Sequence, residues 1–96
     1  MMAKGYWIAR IDVKDPEIYK SYIAAATPSY QKYGAKFLAR GGKCEAVEGP
    51  GRARTVVIEF ESYEQALACF QSPEYQAAAQ FRRKASMGEI LVVEGA

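Results

Sequence analysis

The chain contains no histidine, and that one absence removes a broad set of chemistries. Imidazole acid–base catalysis, histidine-bearing nucleophile triads, histidine metal sites and proximal-histidine haem ligation all need a side chain that is missing. Cysteine is scarce: Cys44 and Cys69 stand far apart in no metal-ligand spacing, and two thiols fall short of a disulfide-stapled scaffold. No charge of one sign dominates, because 13 Lys and Arg against 11 Asp and Glu leave +2, interspersed along the chain. That balance gives no pull towards nucleic acid or a membrane surface. No apolar run reaches the length of a membrane span, and Met1-Met2-Ala3-Lys4-Gly5 has no signal-peptide core. The expectation is a reduced, cytoplasmic protein that needs no cofactor and no metal.

What is present is ordinary for a folded domain: 50% hydrophobic and 25% charged residues, with 7 Tyr, 4 Phe and 1 Trp. The length suits one domain over residues 1–96. A chain this short buries a modest fraction of its surface, so pairing with a second copy is a natural source of further burial.

Residues 5–13 alternate, with Trp7, Ala9, Ile11 and Val13 on one face and Tyr6, Ile8, Arg10 and Asp12 on the other, which predicts a strand. Asp15-Pro16 reads as an N-cap followed by proline at the first helical position. Ile18, Tyr19, Tyr22, Ile23, Ala26, Tyr30 and Tyr33 then make one helical face, Pro28 is expected to bend or reset the helix, and Gly34 ends it. A second strand is predicted over 35–40, a bulge or kink at Gly41-Gly42, a continuation as strand over 43–47, and a turn over 48–52. Val56, Ile58 and Phe60 alternate with polar neighbours in a third strand over 53–61. Ser62-x-x-Gln65 has capping-box spacing, and Ser72-Pro73 restarts a helix that runs to about Ala85. Gly88 is expected to break the chain before a final strand over 89–94.

The order strand, helix, strand, strand, helix, strand is the ferredoxin-like α+β arrangement, a four-stranded antiparallel sheet with helices on one face. On strict alternation the other face carries Ile8, Leu38 and Val57 beside Arg10, Arg40, Thr55 and Glu59. That face is too apolar for open solvent and too charged for a simple core. Two such sheets packed face to face as a dimeric α+β barrel would bury the apolar members and pair the charges.

Five segments in order, Tyr6-Trp7-Ile8-Ala9-Arg10, Asp15-Pro16-Glu17-x-Tyr19, Arg40-Gly41-Gly42, Val57-Ile58-Glu59-Phe60 and Ser72-Pro73-Glu74-Tyr75-Gln76, resemble domain-of-unknown-function family 1330. Glu61 departs from it, where such sequences often carry proline before the helix. The resemblance implies a dimeric α+β barrel, and no established reaction.

Two groups stand out as candidate ligand-binding residues. Arg10 and Arg40 offer guanidinium forks for a carboxylate or other small anion, with Glu59 orienting one of them; the alternative is an ion network that sets dimer register. Tyr22 and Tyr30, within the stripe Tyr19, Tyr22, Tyr30 and Tyr33, would line an aromatic pocket walled by Trp7; the alternative is a set of tyrosines capping a small core with their hydroxyls in water. No catalytic residue is assigned. Gly41-Gly42 and Gly49-Pro50-Gly51 do not lie between strand and helix, so they are not phosphate loops. Arg82-Arg83-Lys84 reads as a solvated helix end, and Cys69 as core. RNA recognition is excluded because the third strand, Arg54-Thr55-Val56-Val57-Ile58-Glu59-Phe60, lacks the basic-Gly-aromatic run that stacks bases. Two functions follow: a homodimer holding a small molecule between helices and sheet, or a cofactor-independent, oxygenase- or isomerase-like enzyme of the dimeric-barrel superfamily. Against catalysis, a carboxylate such as Glu59 beside arginine makes a poor base at neutral pH.

Overall fold

A computed structural model describes residues 3–96. Strand β1 (Gly5–Val13) alternates buried and half-buried along most of its length, with Trp7, Ala9 and Ile11 inward. The turn into helix α1 (Pro16–Lys32) is fixed by Asp15, whose Oδ1 accepts from the N–H groups of Glu17 and Ile18 at 3.1 and 3.2 Å. Such a cap contributes about 1 kcal/mol. The helix does not reset at Pro28. That residue lies on the exposed side, where solvent can reach the carbonyl its missing N–H leaves free. Gly34 leaves the helix with φ +69, the left-handed value that glycine takes without strain.

Strand β2 (Lys36–Arg40) is shorter than expected, and residues 43–47 do not extend it. The bulge falls inside the strand: Phe37 pairs with Ile58 and Ala39 with Val57, leaving Leu38 unpaired. An extra residue reverses the side-chain alternation beyond it. Arg40, opposite Val56, therefore faces the helices and not the open face that strict alternation assigns it.

Residues 41–53 form a connection latched to the sheet by Arg52. Its guanidinium donates to Asp12 Oδ2 at 2.8 Å and, as a fork, to both carboxylate oxygens of Glu89 at 2.7 and 3.0 Å, while the Ala53 N–H donates to Asp12 Oδ1 at 2.9 Å. Both carboxylates sit below their ordinary range, Asp12 through the Ala53 and Arg52 hydrogen bonds and Glu89 through that of Arg52.

Strand β3 (Arg54–Phe60) leads into α2 (Tyr63–Gln71), capped by Ser62 Oγ accepting from the Gln65 N–H at 3.0 Å. Ser72 closes α2 and opens α3 (Pro73–Ala85): its hydroxyl donates to the Cys69 carbonyl at 2.7 Å and accepts from the Tyr75 N–H at 3.2 Å. Strand β4 (Ser86–Glu94) is longer than predicted, because Gly88 lies within it. A side chain there would run into the Arg10 carbonyl and come within 2.9 Å of Ile11 Cα, so glycine allows β4 to close on β1.

The sheet order is β2-β3-β1-β4 with every neighbour antiparallel, an α+β ferredoxin-like fold. Trp7, Ile11, Val56, Ile58 and Phe60 bury the inner face beneath Tyr22, Ala26, Tyr30, Tyr75 and Ala79 of α1 and α3. The Trp7 indole N–H donates to the Ala66 carbonyl at 2.8 Å, tying α2 to β1.

A candidate ligand cleft between helices and sheet

The helices meet over the sheet through phenols. Tyr22, two turns before Tyr30 on α1, places its hydroxyl 3.1 Å from that of Tyr30 and 2.8 Å from that of Tyr75 on α3. Arg82, seven residues beyond Tyr75 and so on the same helical face, donates its Nε–H to the Tyr75 hydroxyl at 3.3 Å. Trp7 stands edge-on to Tyr30 and Tyr75 at ring separations of 5.8 and 4.8 Å, arrangements favoured by the ring quadrupoles. Beside this cluster opens a cleft walled by Trp7, Tyr19, Tyr22, Tyr30, Phe37 and Val56. The cleft and its mouth enclose about 440 Å³, part of it open to solvent, and about 30 Å³ is accessible to the centre of a water molecule. A ligand larger than a water or two must lodge towards the mouth or displace aromatic side chains.

Three guanidinium groups border the cleft, from Arg40, Arg54 and Arg82. Each lies over an aromatic ring: Arg40 over Phe37 at 3.9 Å, Arg54 over Tyr19 at 5.6 Å and Arg82 over Tyr22 at 5.8 Å. Among the described residues none of the three has a carboxylate within ion-pair distance. Arg54 Nε is buried with no hydrogen-bond acceptor from the protein, a condition that costs about 1–3 kcal/mol or more for a charged donor. Gly41 shapes this corner. Its φ is +71, and a Cβ there would collide with the Arg54 guanidinium.

Burial, reinforced by the neighbouring phenols, pushes Tyr22 far above the ordinary tyrosine value, and burial does the same to Tyr30. Both therefore stay neutral across physiological pH. Burial likewise pushes the Cys69 thiol up to about 12, so it is no nucleophile at neutral pH.

The residues singled out from sequence divide between the two faces of the sheet. Tyr22 and Tyr30 lie in the cleft, their hydroxyls bonded to phenols. Arg10 lies on the open face, donating to the Pro50 carbonyl at 3.1 Å. Glu59 shares that face and accepts from the Tyr6 hydroxyl at 3.1 Å. In register Arg10 is opposite Thr55 and Glu59 opposite Tyr6, four positions along, or about 13 Å, so the two do not pair within the chain. Arg40 borders the cleft on the other side of the sheet. The expected trio of Arg10, Arg40 and Glu59 is thus not assembled, and the bulge at Leu38 is the reason for Arg40's departure. Sequence reasoning missed Tyr75, Arg54 and Arg82. The signals were present in the i, i+3, i+4, i+7 run Tyr75, Ala78, Ala79, Arg82, and in the parity Arg54 shares with Val56.

The model of a family described as "Domain of unknown function (DUF1330)" matches residues 4–96. Among curated proteins none matches the chain. Among solved structures, a protein of unknown function from Rhodopseudomonas palustris, RPA0582, is similar with 16% identity and a TM-score of 0.71, over 98% of this chain and 82% of that one. SnoaB of Streptomyces nogalater, a cofactor-independent oxygenase, aligns with 13% identity and a TM-score of 0.65, over 98% and 94%. A dimeric ferredoxin-like protein of unknown function from Bacteroides fragilis aligns with 13% identity and a TM-score of 0.61, over 95% of both chains. At these identities the likeness is one of fold.

Proposed function

The chain belongs to the DUF1330 family, and we propose that it acts as a homodimer that holds a small molecule in the cleft between its helices and its sheet. The observation that carries this reading is the make-up of the cleft wall. It combines aromatic rings, neutral phenols and guanidinium groups, and no Asp, Glu, Lys or Cys lines it. Such a wall can surround a flat apolar body and fix a polar end. It offers nothing that would accept a proton at neutral pH, which favours binding over turnover.

The dimer half of the reading rests on the uncovered face of the sheet. Leu91 and Val93 are 53% and 45% exposed there, beside half-buried Ile8 and Val57. A contiguous apolar sheet face of this kind marks an interaction surface. A second copy suits it, in keeping with solved relatives in fold that are described as dimeric. Arg10 and Glu59, on the same face, would meet partners across that interface. Glu59 and Glu89 on it disfavour a nucleic-acid backbone. Two cysteines with no disulfide between them agree with a reducing, cytoplasmic setting, and no described helix is long and apolar enough to cross a membrane.

Native mass spectrometry on gently purified protein tests both halves. A dimer carrying a discrete added mass is expected. A monomer at micromolar concentration would overturn the assembly. An empty dimer whose Trp7 fluorescence ignores a panel of small aromatic compounds would overturn the ligand site.

A further inference from the structure

We propose that the cleft selects an aromatic carboxylate, its ring lodged among Trp7, Tyr19 and Phe37 and its carboxylate held by Arg54 with Arg40 and Arg82. The proposal rests on the reading of the cleft as a ligand site and adds the charge and class of the ligand.

Three observations carry it. Lys4, Lys20, Lys32 and Arg52 each have a carboxylate partner, while other cations, such as Lys36, Lys43 and Arg83, stand singly on the surface without one among the described residues. Among the described residues the three arginines of the cleft also have none, but they border a single opening with no Asp or Glu in its lining. Positive charge is therefore concentrated and uncompensated at one mouth, a field that draws in an anion. Next, each guanidinium is laid over an aromatic ring. Arg40 is stacked on Phe37 at 3.9 Å and the other two lie within cation–π range of their rings, and a guanidinium so placed keeps planar N–H donors that match a carboxylate better than a lysine does. Finally, Arg54 is fitted to its position at some expense. Its Nε–H is buried without an acceptor from the protein, and its guanidinium occupies the space that any side chain at residue 41 would need. Because the rest of the wall is aromatic and aliphatic, the remainder of the ligand is apolar and flat. A phosphorylated sugar or a small polar dicarboxylate would leave polar groups unpaired against that wall.

The test uses phenylacetate, its neutral amide phenylacetamide, and acetate. The readout is the fluorescence of Trp7, the only tryptophan in the chain. Phenylacetate is expected to perturb it saturably, with affinity about tenfold or more above that of phenylacetamide, as charge-assisted bonds to arginine imply. Arg54→Gln should abolish that preference. Arg83→Gln, which removes the same charge from an exposed position bonded to Gln76, should preserve it. Should Arg54→Gln fail to fold, Arg40→Gln at the exposed mouth serves instead, with the preference for the acid again expected to shrink. Equal binding of acid and amide would overturn the anion inference and leave the cleft reading standing. Acetate binding as tightly as phenylacetate would overturn the aromatic part. If neither aromatic compound affects Trp7, the cleft reading falls and this inference with it.

Discussion

The hydroxyls of Tyr22 on α1 and Tyr75 on α3 lie 2.8 Å apart and link the two long helices above the sheet. Tyr75 also receives the Arg82 Nε–H at 3.3 Å, so its oxygen sits between a buried phenol and the cleft's rim. Tyr75→Phe keeps the ring packing against Trp7 and removes both bonds. Tyr22 retains only Tyr30 at 3.1 Å. The expected loss is about 1–2 kcal/mol in denaturant unfolding, with little change in the slope. A variant as stable as the parent would mean that the phenol network does not hold the helices.

The same buried phenols predict the behaviour in alkali. Folding raises Tyr22 and Tyr30 above the ordinary value of 10.0, so the folded chain keeps protons that the unfolded chain releases. Their contribution is complete below that value and declines as pH rises past it. An ultraviolet phenolate titration of the 7 tyrosines should stop short of the full complement, and the missing signal should appear only as circular dichroism reports unfolding. Complete ionisation with the fold intact would contradict the burial described.

At the acid end the Arg52 latch is the sensitive element. Asp12 and Glu89 have folded values below their ordinary 3.8 and 4.5, so the latch contributes fully above those values and is lost as pH falls through the depressed ones. The Ala53 amide reports on it directly, since it donates to Asp12. Its hydrogen-exchange protection should hold at pH 5 and 6 and fade below about pH 4. Protection unchanged at about pH 2 would place the restraint on residues 41–53 elsewhere.

Gly41→Ala puts a side chain in the left-handed region, which carries the penalty, and obliges the flexible end of Arg54 to shift aside. A loss of about 1–2 kcal/mol is expected in thermal or chemical unfolding. Gly42→Ala, where a side chain meets nothing within 4 Å and no positive φ is recorded, should be nearly neutral. Equal effects at the two positions would remove the special role given to Gly41.

Much of the fold was legible in the sequence because the local signals agree with one another. Asp15-Pro16, Ser62 with Gln65, and Ser72-Pro73 each cap a helix where expected, and the alternation around Trp7 and Ile58 fixes the inner face of the sheet. The tyrosines of α1 were legible as a stripe, though not the destination of their hydroxyls, since Tyr75 comes from a helix 53 residues away from Tyr22 in sequence. Gly88 and Pro28 misled for a shared reason. Each breaks regular structure on average, and each sits where the tertiary setting accepts it, Gly88 against the β1 backbone and Pro28 on an exposed helix face. The charged trio failed on Arg40 because a single unpaired residue leaves no trace in hydrophobic periodicity.

That unpaired residue reaches beyond local geometry. With Leu38 absorbed between two paired positions, the two side chains after it on β2 exchange faces, Ala39 to the outer surface and Arg40 to the inner one. Inserting or deleting one codon there would transfer Arg40 between the open sheet face and the cleft without altering any other residue's identity. A lineage carrying this sheet thus has a single-step route for trading a charge on the open sheet face for one beside the helices.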